Sequence, residues 1–287
     1  MFMENKEVNL KEKSEFEQYI TSRVEDEAPN TSQTWAGIGL GIGYLFVISS
    51  IIFLIWTIFN NQLMDPKYDS TFESSVSQII SGIIVVVATG FIIGKNKVIK
   101  ILKGFNLKNL GIAATFVCIA FAASILIGHL ETAIFGEGDI SSSNQEAVEN
   151  MIFQYKFVGF LMVAIMAPFV EEIIFRYFVF RGCQRWLNTI WAFVITVVSF
   201  AGIHYLSSIM AGTLVEDLKS ILSYLVPSFI MTFLYYKNKN LATPIMFHML
   251  FNGIQFLLMI AAFSLEGNGG GTPDISGVTQ AIINLLV

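Results

Sequence analysis

Apolar residues in this chain gather into long blocks instead of recurring at the spacing of an amphipathic helix or a strand. The blocks run over about 35–59, 76–94, 110–128, 157–180, 190–206, 218–236 and 241–263. Several reach the roughly 20 residues that a helix needs to cross a bilayer. The pattern therefore predicts an all-α, polytopic membrane bundle of about seven helices joined by polar links. Residues 1–34 are polar and acidic, with no apolar stretch behind a basic start. They read as a flexible or surface-lying tail and not as a signal peptide. The connection over 129–156 is rich in Glu, Asp, Ser and Asn and reads as a solvated loop, and the glycine-rich stretch at 266–273 as a flexible tail.

Composition removes competing classes. Only 14% of the 287 residues are charged, against about 25% in soluble proteins, which excludes a soluble globule. A net charge of −5 leaves no basic footprint for nucleic acid. Cys118 and Cys183 lie in an apolar block and beside arginines, and do not make a disulfide framework.

The basic residues set the orientation. Lys6, Lys11, Lys13 and Arg23, then Lys95, Lys97, Lys100, Lys103 and Lys108, then Arg176, Arg181 and Arg185, then Lys237 and Lys239 all fall on one side if the N-terminus is inside. Only Lys67, Lys156 and Lys219 fall outside, so the positive-inside rule gives an N-in, C-out chain with an odd number of spans. Trp35, Trp186, Trp191 and the step Tyr235-Tyr236-Lys237 mark the inner boundaries. Between the second and third spans, apolar Val98, Ile99, Ile101, Leu102, Phe105 and Leu107 interleave with lysines, the pattern of a segment lying on the inner leaflet against anionic headgroups.

Gly37, Gly39, Gly41 and Gly43 in the first block follow no strand, which excludes a phosphate loop; glycines four apart instead let helix backbones approach closely. The chemistry lies further on. The fourth block contains Glu171, Glu172 and Arg176, although one charge near the bilayer centre costs on the order of 3 kcal/mol. Glu172 and Arg176 are four apart, the spacing of an ion pair on one helix face. Glu171 lies about 100° round the helix from its neighbour, which leaves one acid paired and one free. His204 lies in the fifth block, four residues after Phe200, and His248 in the seventh, four residues before Asn252. A carboxylate, two imidazoles and a carboxamide in the membrane form a set able to activate water and stabilise an oxyanion. The third histidine, His129, falls at an outer boundary and faces water.

Glu171-Glu172-x-x-x-Arg176, Phe200-x-x-x-His204 and His248-x-x-x-Asn252, in that order on three spans, resemble the motifs of the CPBP (CAAX protease and bacteriocin-processing, or Abi) intramembrane proteases. The resemblance covers about residues 157–260 and implies an all-helical membrane enzyme related to the type II CAAX prenyl endopeptidases, with relatives in bacteriocin self-immunity and peptide-signal processing. It divides the chain into an acidic tail (1–34), three N-terminal membrane helices with their loops (35–156), a catalytic core of four helices (157–264) and a C-terminal tail (265–287). The family is often labelled a metalloprotease.

The resulting expectation is an endopeptidase acting on a membrane-associated protein or peptide in a bacterial cell membrane. Glu171 is the general base on a water shared with His204, His248 and Asn252 are the oxyanion donors, and Arg176 holds Glu172. No cofactor is required in this scheme. The alternative places Zn²⁺ or another divalent metal on Glu171, His204 and His248, although His-Glu-x-x-His is absent. A second class of function is a non-catalytic immunity or regulatory protein that binds a peptide, a kinase or a cell-wall partner. A proton-relay transporter is a lesser alternative, because no inverted pair of broken spans is evident. The sequence also poses a geometric problem. With about 1.5 Å rise per residue, His204 lies roughly 20 Å and His248 about 10 Å from the inner ends of their spans, so tilt, shifted boundaries or a break near Pro244 must bring them level.

Overall fold

The computed structural model describes residues 28–63, 70–136 and 142–266, and among these there are helices and no strands. Most of the acidic tail and nearly all of the glycine-rich C-terminal stretch lie outside the described residues. Ten helices are numbered here: α1 (31–63), α2 (Ser70–Ile93), α3 (Lys95–Lys103), α4 (Leu107–Phe135), α5 (Ser143–Gln154), α6 (Lys156–Cys183), α7 (Thr189–Ile203), α8 (Leu206–Ala211), α9 (Leu214–Asn238) and α10 (Ala242–Glu266). Six of them, α1, α2, α4, α6, α9 and α10, are long and apolar enough to cross a membrane. The protein is an integral, multi-pass membrane bundle.

The fifth expected span is shorter than the sequence block suggested. Helix α7 has 15 residues, about 22 Å at 1.5 Å per residue, against a hydrocarbon thickness of about 30 Å. It ends where His204 turns its ring back onto its own helix, and α8 follows and stops at Gly212 in the left-handed conformation (φ 78°). Helix α7 nevertheless runs antiparallel to α9: Phe193 near its start packs on Phe229, and His204 at its end packs on Tyr224.

The supposed solvated loop is also revised. Helix α4 continues to Phe135, and the polar stretch beyond it contains α5, capped by Ser142, whose side chain accepts from the Gln145 N–H. One side of α5 is apolar: Met151 and Ile152 pack with Phe256, Met259 and Phe263 of α10. A narrow apolar stripe on a polar helix escapes a search for long apolar blocks.

Helix α1 starts inside the expected tail. The Asn30 side chain accepts from the Gln33 N–H at 2.8 Å, and the Gln33 side chain accepts from the Asn30 N–H at 3.0 Å, a reciprocal cap that satisfies two otherwise free donors. Ahead of it, the Arg185 guanidinium donates to the carbonyls of Pro29 and Ala28. The glycine reading holds at two of its four positions. A Cβ on Gly37 would stand 2.1 Å from the Phe178 ring, and one on Gly41 would stand 3.0 Å from Ile174, so α1 meets α6 backbone to side chain.

Basic residues from distant parts of the sequence gather at this end. Lys97 of α3 stands over the Tyr177 ring at 5.7 Å, and Asn240 donates to the carbonyl of Lys100. The Arg185 charge lies close enough to Lys97 to join burial in lowering the lysine's pKa below its ordinary value. The side chains of α3 are not buried, and Ile99 and Leu102 are exposed.

Candidate functional site

Helix α6 is not a uniform α-helix. Two wider π-helical stretches, Leu161–Met166 and Ile173–Phe180, bracket the α-helical turn Ala167–Glu172 that carries both acids. Such turns are rare and often sit at functional sites. Pro168 explains part of the first one. In the π pattern Ala167 N–H donates to the Met162 carbonyl, so residue 168 would donate to Val163, but a proline has no N–H. The Asn252 side chain of α10 fills that vacancy, its Nδ2 donating to the Val163 carbonyl at 3.0 Å.

The charged residues separate as the spacing predicted. Arg176 Nη1 lies 3.0 Å from Glu172 Oε1, both side chains wholly buried. Arg176 Nη2 also donates weakly to Ser228 of α9, at 3.3 Å to the hydroxyl and 3.4 Å to the carbonyl. Its Cζ stands 4.4 Å from the centre of the Phe200 ring, a cation–π contact that partly compensates Nε, which has no hydrogen-bond partner among the described residues. Glu172 Oε2 has no hydrogen-bond partner among the described residues.

His248 meets both acids. Its Nδ1 lies 2.9 Å from Glu172 Oε1. A carboxylate accepts only, so this nitrogen carries the proton and donates. Its Nε2 then points toward the other acid, 3.8 Å from Glu171 Oε2, which is too long for a direct hydrogen bond. Glu171 keeps 18% of its side-chain surface exposed while Glu172 keeps none. Glu172 is therefore committed to Arg176 and His248, and Glu171 is the acid with room for a further molecule.

His204 is oriented by its own helix. Its Nδ1 lies 2.9 Å from the Phe200 carbonyl; because a carbonyl only accepts, Nδ1 is the donor and Nε2 is free of that bond. Phe200 joins the two histidines, its ring 5.0 Å from that of His204 and 6.0 Å from that of His248. Glu171, Arg176 and His248 all lie within electrostatic reach of His204. The expected mismatch in depth is thus resolved, and not by a break: Pro244 occupies the first turn of α10, where its missing N–H is harmless, and the helix continues to Glu266. His129 is exposed, but it lies within α4, six residues before the helix ends at Phe135.

The structure thus brings Glu171, Glu172, Arg176, His204 and His248 together. Asn252 shares their helix face with His248, but its described bond runs to Val163. Among the described residues no group of three or more His, Cys, Asp or Glu side chains is arranged to hold a metal ion, and one imidazole nitrogen of His248 is engaged by Glu172. Sequence reasoning missed Ser228, which completes the Arg176 environment, and Tyr44 of α1, which lies within electrostatic reach of Glu171. Neither residue type stands out in an apolar block, so neither carried a signal.

Residues 153–254 match the family described as type II CAAX prenyl endopeptidase Rce1-like. This segment is similar to that family. It contains all seven motif residues, and the resemblance read from the motifs is borne out. The chain is 28% identical over 142 residues to the "Putative membrane peptidase YdiL" of Bacillus subtilis, covering 50% of this chain and 53% of that protein. It is 31% identical over 118 residues to the "UPF0177 protein YaiF" of Lactococcus lactis, covering 40% of this chain and 47% of that one. The chain thus spans about half the length of these curated relatives. No solved structure matches it significantly.

Proposed function

We propose that the protein is a CAAX-type intramembrane endopeptidase acting on a membrane-associated protein or peptide, and that Glu171 is its general base. One observation carries the reading: of two adjacent acids, Glu172 is buried in contacts with Arg176 and His248, while Glu171 stands 3.8 Å from His248 Nε2 without a direct bond. A water oxygen about 2.8 Å from each atom fits that separation.

In this scheme Glu171 takes a proton from water as its oxygen attacks the scissile carbonyl carbon. His204 Nε2 accepts the water's other hydrogen and sets its direction. The tetrahedral oxyanion is held by donors from α10, His248 Nε2 and the second N–H of Asn252. In that role His248 donates from both nitrogens, so that it and Arg176 are two cations facing the two carboxylates of Glu171 and Glu172. When the intermediate collapses, the C–N bond breaks and Glu171 returns its proton to the leaving amine. No metal is needed in this scheme. A peptide substrate presented by the membrane is supported by the family description, a CAAX prenyl endopeptidase, and by the name of the Bacillus relative, a membrane peptidase. The gathering of lysines and arginines around α3 and Arg185 supports an N-in orientation.

The test is cleavage of lipid-anchored and membrane-spanning peptides by the detergent-purified protein. Glu171→Gln is expected to lower kcat by on the order of 10²-fold or more while the melting temperature stays within a few degrees of wild type. Full activity in Glu171→Gln would overturn the base assignment, and loss of activity on chelation, restored by added Zn²⁺, would overturn the metal-free scheme.

A further inference from the structure

His204 is restrained by more than its own helix. Its ring lies 4.5 Å from that of Tyr224 in α9, tilted by 32°. The Tyr224 hydroxyl leads away to the start of α5, where it lies 2.7 Å from Ser142 Oγ and accepts from Asn144 Nδ2 at 3.3 Å. The following residue is clamped in turn: Ser143 N–H donates to Asp217 Oδ2 at 3.0 Å, and Ser143 Oγ lies 2.9 Å from Thr213 Oγ1. The same buried Asp217 oxygen accepts from the hydroxyls of Ser208 and Thr213. Tyr205, next to His204, closes the circuit. Its hydroxyl lies 3.2 Å from Ser220 Oγ, which donates to the Asp217 carbonyl, and its ring packs edge-on to Tyr224.

The apolar side of α5 already docks on α10, so anchoring α5 does not require this polar circuit. What hydrogen bonds add to apolar contact is fixed geometry. His204 needs it, because it caps the end of α7, where the backbone leaves the helix. Its bond to Phe200 sets one side of the ring, and Tyr224 supplies a second restraint. We propose that Tyr224 is a positioning residue for His204, and that Asp217, by clamping Ser143 at the start of α5, keeps the adjoining Ser142 on the Tyr224 hydroxyl and so holds the ring in register. The proposal rests on the reading of His204 as the group that directs the attacking water.

The test uses the full chain in detergent with ¹⁵N-labelled histidine. The chain has three histidines, and His204→Gln assigns the signal. Wild-type His204 is expected to show the Nδ1–H form. Tyr224→Leu should mix the two tautomers, and Tyr224→Phe, which keeps the ring but loses the hydroxyl, should do so in part. Peptide cleavage should fall in kcat on the order of tenfold for Tyr224→Phe and a hundredfold for Tyr224→Leu, with KM within about threefold of wild type. Asp217→Asn should follow Tyr224→Phe. If Tyr224→Leu does not fold, Tyr224→Phe decides. A wild-type tautomer signal in the folded Tyr224 variants, or a raised KM with unchanged kcat, overturns the proposal. If wild type cuts no peptide, the protease reading falls, and the ¹⁵N signal still decides whether Tyr224 positions His204.

Discussion

Helices α1 and α6 look alike as strings of letters and differ in every physical respect that matters. Each provides a candidate span of nearly equal length, Thr31–Phe59 and Lys156–Cys183, with mean hydropathy of 2.5 and 2.0. Yet only 6% of the most apolar stretch of α1 is buried within the protein, against 39% for α6. The more apolar helix is the more exposed one. In a bilayer, apolar side chains gain nothing by leaving lipid for protein, so burial follows small residues and polar groups that need partners. Helix α1 has two glycines that admit Phe178 and Ile174; α6 has Glu171, Glu172 and Arg176, which require His248, Ser228 and Phe200 around them.

The contrast can be broken most severely at its centre. Glu172→Ala leaves Arg176 and His248 buried without their shared acid, and removing one partner of a buried pair costs about 3–5 kcal/mol. A large fall in melting temperature is expected in detergent, in contrast to the nearly unchanged value expected for Glu171→Gln. Equal stability losses in the two variants would show that the adjacent acids do not divide their labour.

Next comes the seam between the two helices. Gly37→Ala drives a methyl group into the buried Phe178 ring, and overpacking of this kind costs about 1–3 kcal/mol. Gly39→Ala, with open space around it, serves as the control and should melt like wild type. The smallest effect is expected on the outer face of α1: Leu54→Ala at an exposed position should change stability by less than about 0.5 kcal/mol. A substantial loss there would mean that α1 is covered by another protein surface.

Much of the site was legible because charges inside apolar blocks are conspicuous. The four-residue spacing of Glu172 and Arg176 predicted their pairing, and the one-residue offset predicted that Glu171 would be left apart. What could not be read were residues whose importance depends on a neighbour far along the chain. Ser228 follows Pro227 in a helix with several serines; Tyr224 is an aromatic in an apolar stretch. Each gains meaning only when α9 lies beside α6 and α7. The same holds for α5, whose short apolar stripe becomes visible once α10 is there to receive it.

The sequence alone determined the membrane class, the approximate borders of most helices and the candidate motif residues. These depend on transfer of side chains from water to lipid and on spacing within single helices, both local properties. Tertiary structure decided that α7 stops short, that His204 and His248 meet across Phe200, and that Asn252 covers the carbonyl left open by Pro168. It also decided which of two neighbouring glutamates is buried. Those outcomes depend on which helix faces which, and a turn of about 100° between adjacent residues is enough to send one carboxylate into a closed ion cluster and leave the other open to a further molecule.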